Sequence, residues 1–370
     1  MSADLTHVLM TADAVGGVWT FALALARALS ERHVRTSLAV MGPPPSAAQR
    51  ADAASIDALS VHHAPFALEW MDDPWTDVEL AGEWLLDLER DLQPDIVHLN
   101  GYCHGALPWR SPVLVTGHSC VLSWWRAVHG CDAPDSSGRY AAEVTKGLAA
   151  AALVTAPSRW MLQQLQRHYG TLRRTRVIPN GRALMMHRVP QNEPFVLTAG
   201  RLWDRAKNVE LLCRVAPRLS WPVYLAGSTE GPAGDAGFSS NVRYLGALGS
   251  GELTSWMLRA SLYVLPARYE PFGLSALEAA LCECALVLGD VPSLRAIWGD
   301  AALYVEPDDS DALEQIVRQL IDDPQRRLVM AGRAAARARR LTPRRMASSY
   351  YNAYVELSGE LRPLLSLGAV

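Results

Sequence analysis

Glu270 and Glu278 frame the segment Glu270-Pro-Phe-Gly-Leu-Ser-Ala-Leu-Glu278, which follows the apolar run Leu262–Pro266 and enters helical spacing at Leu274. A strand, a loop and a helix start in that order leave free N–H groups at Leu274 and Ser275. With the positive end of the helix dipole they make an anion site suited to a diphosphate. Gly273 permits close backbone approach there. Glu278 lies about one turn inside the helix, where a carboxylate can accept paired hydrogen bonds from vicinal ribose hydroxyls, and Glu270 sits in the loop. A second block, Ala199-Gly-Arg-Leu-Trp-Asp-Arg-Ala-Lys-Asn208, repeats the order of strand, loop and helix. Arg201 offers a planar fork to phosphate oxygens, and Lys207 a compact point charge. Of the 35 basic side chains only Lys146 and Lys207 are lysines, which sets Lys207 apart from an arginine background. A third block, Thr11–Trp19, places Gly16 and Gly17 before the first long helix, where their amides can face an anion. It lacks the G-x-G-x-x-G spacing, and no acidic residue closes a clear second strand, which argues against a dinucleotide-dependent oxidoreductase.

The elements that must carry these blocks alternate between strand and helix in two rounds. In the first, Thr6–Met10, Asp95–Leu99, Val113–Thr116 and Leu153–Thr155 read as strands, with helices at Thr20–Arg32 and Val78–Leu92. In the second, Phe195–Ala199, Val223–Ala226, Val242–Leu245, Leu262–Pro266, Ala285–Leu288 and Leu303–Val305 read as strands. Helices lie between them at Val209–Leu219, Glu252–Ala260, Leu274–Cys282 and Ser310–Ile321. Such alternation predicts two doubly wound parallel sheets covered by helices, with ligands at the carboxyl ends of the strands. The polar stretch Met185–Pro194 reads as the linker. Thr342 followed by Pro343 reads as the start of a separate last helix. The expected domains are residues 1–184, 195–340 and a helix within 341–370.

Composition narrows the function classes. With 370 residues, 49% hydrophobic and 20% charged, the chain suits two globular domains. A net charge of −3 recruits neither nucleic acid nor an anionic membrane. The six cysteines are scattered without metal-like or C-x-x-C spacing, so they read as buried thiols. No stretch approaches the roughly 18 apolar residues of a membrane span, and Met1–Met10 carries no signal pattern. These features predict a cytoplasmic protein, and the Arg and Ala enrichment a bacterial one. The basic runs Arg326–Arg345 and Arg167–Arg182 read as solvated faces, and the acidic helix Trp75–Leu92 opposes stable membrane association.

Taken together and in order, the motifs resemble the family-4 glycosyltransferases, retaining enzymes of the GT-B fold, over nearly the whole chain. The resemblance rests on Gly16-Gly17, Pro94–Asn100, Val115-Thr-Gly-His-Ser119, Val177-Ile-Pro-Asn-Gly181, Ala199–Asn208, Glu270–Glu278 and Pro292–Asp300. It implies two Rossmann-like domains facing a cleft, with the last helix crossing back to the first domain. It implies that Arg201, Lys207 and amides near Gly17, Gly273, Leu274 and Ser275 bind a donor diphosphate. Glu278 would then hold the ribose, Glu270 hydroxyls of the transferred sugar, and His118 would reach that sugar from the acceptor side. No metal and no cofactor beyond the nucleotide sugar is implied, since Arg201 and Lys207 can supply the charge. Two positions depart from the family pattern: Pro271 after the first Glu, and Glu283-Cys284-Ala285 where Gly-Cys-Pro is more usual.

The expected reaction is transfer of a sugar, from UDP as the commonest carrier, to a hydroxyl of a sugar or small molecule. Front-face attack is favoured, with Asp13 as a candidate nucleophile for a covalent route. An acceptor site is expected from Tyr102, Trp124 and Trp125, in first-domain loops dense in aromatic residues. A nucleotide-sugar 2-epimerase and a non-catalytic sugar-nucleotide binder are the alternatives on the same architecture.

Overall fold

A computed structural model describes residues 5–184, 192–231, 234–235 and 242–366. The chain divides into two compact units. The first comprises Met1–Ser123, Asp132–Gly181 and Pro343–Val370, and the second Trp124–Cys131 and Arg182–Thr342. The expected linker Met185–Pro194 falls mostly outside the described residues.

In the first unit seven strands form one sheet: β1 (His7–Asp13), β2 (Arg35–Met41), β3 (Leu59–Ala64), β4 (Ile96–Leu99), β5 (Val113–Thr116), β6 (Leu153–Ala156) and β7 (Thr175–Val177). Their order is β3-β2-β1-β4-β5-β6-β7 and every pairing is parallel. A parallel sheet is covered on both faces, so its strands bury alternate residues in different cores. In β1, Val8, Met10 and Ala12 enter one cluster and Leu9 the other. The first cluster also takes Met346, Tyr350, Tyr354 and Leu357 from the helix Pro343–Ser366. That helix is tied to the sheet by buried polar contacts. His98 Nδ1 meets the Tyr354 hydroxyl at 2.6 Å, and His98 Nε2 meets Thr116 Oγ1 at 2.7 Å. The tail helix is therefore an integral layer of the first unit.

In the second unit the sheet contains β8 (Glu193–Ala199), β9 (Val223–Ala226), β12 (Arg243–Gly246), β13 (Ala260–Leu265), β14 (Ala285–Gly289) and β15 (Leu303–Val305). Two short segments, β10 (Glu230–Gly231) and β11 (Gly234–Asp235), pair antiparallel apart from it. The sheet order is β12-β9-β8-β13-β14-β15, again parallel throughout. In β13, Tyr263 and Leu265 enter one core while Leu262 and Val264 enter the other.

The sequence missed β2, β3 and β7. Arg35-Thr-Ser-Leu-Ala-Val-Met41 mixes polar and small residues, yet Thr36 and Ser37 are buried. Ser37 is satisfied inside by His7 at 2.9 Å and Ser60 at 3.0 Å, partners a linear reading does not show. The first helix, expected from Thr20, begins at Gly17, with Gly16 as an extended N-cap. The loop expected around Trp124 is a helix, Val121–His129, and from Trp124 onward it groups with the second unit. The helix expected over Val209–Leu219 stops at Val215, where Pro217 enforces a short 3₁₀ turn.

Candidate functional site

In the second sheet β8 and β13 are neighbours, while the chain continues from β8 to β9 on the opposite side. This is a topological switch point, where carboxyl-end loops diverge and leave room for a ligand. The loop after β8 carries Arg201 and Lys207, and the loop after β13 carries Glu270. They meet directly: Lys207 Nζ pairs with Glu270 Oε2. Glu270 Oε1 accepts the Gly273 N–H at 2.9 Å, and the buried Ser293 hydroxyl donates to the Glu270 carbonyl at 2.5 Å. Gly273 has φ +87 as N-cap of the helix Leu274–Leu281, a left-handed conformation that a side chain would strain. Leu274 and Ser275 follow as its half-buried first residues.

Two residues without an expected role hold the loop after β8 in place. Asp204 is buried and accepts from Arg201 Nη2 at 2.8 Å, from the Ala206 N–H at 3.0 Å and from Trp124 Nε1 at 3.0 Å. Burial alone would raise its carboxyl pKa. Arg201, then Lys207 and the donors from Trp124 and Ala206, outweigh this and hold it below the usual carboxylate range. Asn208, in the left-handed region at φ 54, donates through Nδ2 to the carbonyls of Pro266 at 2.9 Å and Pro307 at 2.6 Å. The Arg268 N–H adds a bond to the Ala206 carbonyl at 2.8 Å. Nearby, Gly227 has φ +143, and a Cβ there would lie 1.7 Å from the Gly200 carbonyl oxygen, so the loops after β8 and β9 touch backbone to backbone.

Glu278 lies on the helix Leu274–Leu281 and is engaged by Arg182. The Arg182 Nε donates to Glu278 Oε1 at 2.6 Å, and Nη2 reaches the same oxygen. Both side chains are largely buried, at 18% and 17% exposed. The basic run Arg167–Arg182, expected on a solvated face, therefore ends on a largely buried ion pair.

The first sheet has its own switch point between β1 and β4. Asp13 ends β1, and its Oδ1 accepts the Val15 N–H at 2.9 Å, which shapes the turn into Gly16 and Gly17. Asn100, just past β4, donates to the Thr11 carbonyl at 2.7 Å, and its Oδ1 pairs with His118 Nε2 at 2.8 Å. The His118 ring packs edge-on against Phe21, with centroids 4.5 Å apart, and burial lowers its pKa to about 3. It is therefore a neutral imidazole at physiological pH, able to exchange hydrogen bonds but carrying no charge.

The expected aromatic acceptor residues separate. Tyr102 is 3% exposed, and its hydroxyl donates to the Ser119 carbonyl at 2.5 Å, so it is a core residue and not a sugar platform. Trp124 spends its indole N–H on Asp204, and so it supports the loop after β8. Trp125 is half-buried and packs against His129 with ring centroids 4.3 Å apart. Neither tryptophan lies in the first-domain loop expected for it.

A model of the group 1 glycosyltransferases matches residues 186–337, and a model of glycosyltransferase family 4 matches residues 15–184. The O-antigen chain mannosyltransferase B of Escherichia coli is 34% identical over 113 residues, so the match spans only 30% of this chain and 30% of that protein. The D-inositol 3-phosphate glycosyltransferase 1 of Catenulispora acidiphila is 26% identical over 353 residues, 84% of each chain. The solved structure of Anabaena HepE in complex with UDP-glucose superimposes with a TM-score of 0.74 at 16% identity, covering 95% of this chain and 100% of that one. At that identity the likeness speaks for the fold.

Proposed function

Because this chain belongs to the group 1 glycosyltransferases, with a family-4 first half and the GT-B fold, we propose that it moves a sugar from a nucleoside diphosphate to a hydroxyl of a sugar or small-molecule acceptor. We take UDP as the carrier and retention as the stereochemical course. The observation that carries the reading is the convergence of Lys207, Glu270 and the Gly273 helix start at the carboxyl ends of β8 and β13. Two cations in one loop suit a diphosphate, and an ammonium with three donors can hold Glu270 and still meet phosphate oxygens.

In this reading Arg201 and Lys207 contact the diphosphate with the amides of Leu274 and Ser275, Glu278 accepts from the ribose, and Glu270 accepts from hydroxyls of the transferred sugar. The bond between the anomeric carbon and the leaving phosphate oxygen breaks as the acceptor oxygen forms its bond on the same face. The acceptor proton passes to that leaving oxygen. Charge builds on the diphosphate, and Arg201 and Lys207 are placed to stabilise it. His118, being neutral, suits a hydrogen bond to a sugar hydroxyl better than proton donation. In the first unit, Gly16 and Gly17 offer amides at the carboxyl end of β1.

The test incubates the protein with UDP-, GDP- and ADP-sugars, with and without hydroxyl acceptors. Nucleoside diphosphate release that rises with acceptor, and a product with the donor's anomeric configuration by NMR, is the expected result. Epimerised donor without release would identify a 2-epimerase instead, and binding without turnover across the acceptors a non-catalytic binder.

A further inference from the structure

Arg182 is the first residue of the second unit after the Val177-Ile-Pro-Asn-Gly181 segment, and its backbone N–H is fixed by the Leu341 carbonyl at 3.0 Å. From that anchor its guanidinium places two donors on one carboxylate oxygen, Glu278 Oε1. A carboxylate that accepts from a vicinal diol must present its lone pairs in one orientation, because two hydroxyls on adjacent carbons are held at a fixed spacing. A glutamate side chain one turn inside a short helix has several rotamers available. Arg182 removes that freedom: with Oε1 tied, Oε2 is turned in a defined direction and keeps its acceptor capacity.

We propose that Arg182 is a positioning residue for nucleoside recognition, which orients Glu278 so that the site distinguishes a ribose from a deoxyribose. The inference rests on the proposed donor site, in which Glu278 accepts from the ribose. Arg182 acts through Glu278 and touches no reacting atom. Its contribution is therefore specific to ligands that carry the hydroxyls.

The test compares dissociation constants for UDP, 2′-deoxy-UDP and 3′-deoxy-UDP, by calorimetry, in the full-length protein and in Arg182→Ala, Arg182→Gln and Glu278→Ala. GDP and ADP with their deoxy forms replace UDP if the wild type binds one of them more tightly. The wild type is expected to prefer the ribonucleotide. Either Arg182 variant is expected to lose most of that preference, about tenfold, with little change in affinity for the deoxynucleotides. Glu278→Ala is expected to abolish the preference. A variant that fails to fold loses all binding alike, and the glutamine substitution, which keeps a polar side chain but neither the charge nor the reach of the guanidinium, then carries the comparison. If both Arg182 variants keep the wild-type preference while Glu278→Ala abolishes it, the inference fails and the donor site stands. An unchanged preference in Glu278→Ala removes the donor-site reading itself. Tighter ribonucleotide binding without Arg182 would mean that it competes with the ribose, and would also overturn the inference.

Discussion

Individual side chains in the second unit were legible where strand ends announced them. Glu270, Glu278, Arg201 and Lys207 each follow an apolar run, and parallel sheets present such residues at one edge. Their supports were not legible. Asp204 binds Trp124, eighty positions earlier, and Arg182 binds Glu278, ninety-six positions later, so the pairing is a property of the fold. Lys207→Ala should lower turnover by roughly 10²-fold or more, on the scale of removing one group that stabilises transition-state charge. Steady-state assays with saturating donor check this, and wild-type rates would contradict the role. The two glutamates should part company. Glu278→Ala should raise the nucleoside diphosphate dissociation constant about tenfold, as expected for one charged hydrogen bond. Glu270→Ala should leave that constant near wild type and depress kcat. Titration calorimetry beside initial-rate measurements separates the two, and a shared effect on binding would merge their roles.

At the level of elements, strands with continuous apolar runs are legible to within two residues at each end, apart from β1, which runs three residues past Met10 to Asp13, and those with polar interiors escape. Glu283, one of the departures from the resembled pattern, lies at an element boundary. It follows the helix Leu274–Leu281 with φ 61, a left-handed position where glycine is the ordinary choice. The Cys284 N–H closes the turn on the Ala279 carbonyl at 3.0 Å. Glutamate accepts about 1 kcal/mol of backbone strain there, offset in part by an exposed ion pair with Arg339 at 2.9 Å. Glu283→Gly should therefore raise stability only slightly, by about 0.5 kcal/mol at most, because glycine also loosens the unfolded chain and the ion pair is lost. Urea midpoints of the two proteins measure it, and a lower midpoint for the variant would show that the Arg339 contact outweighs the strain.

For the molecule as a whole, length and composition suit two domains, the alternation of strand and helix points to the fold class, and among the described residues no helix is long and apolar enough to cross a membrane. Composition could not show how three histidines of the first unit would titrate. Burial lowers the pKa of His7, of His98 and of His118, the last to about 3. In the unfolded chain each titrates near 6.5. Below that pH the unfolded state takes up protons that the folded state refuses, so stability falls as pH drops from about 6.5 toward the folded values. Above about 6.5 these groups contribute no pH dependence. The slope approaches about 1.4 kcal/mol per pH unit for each histidine charged only on unfolding. Urea unfolding at pH 7 and at pH 5 should show a clearly lower midpoint at pH 5, and equal midpoints would contradict the burial of these rings.

The helix Pro343–Ser366 that packs on the first sheet has a consequence for how the protein is made. Chains emerge from the ribosome amino end first, and domains usually fold in that order. Here Tyr350 and Tyr354, which complete the core beside Phe21 and His98, are synthesised only after the whole of the second unit. The second unit has its entire sequence available earlier, because its last residue is Thr342. Birth order and completion order are thus reversed: the first unit, begun before the second, waits with part of one sheet face uncovered until the helix Pro343–Ser366 leaves the exit tunnel.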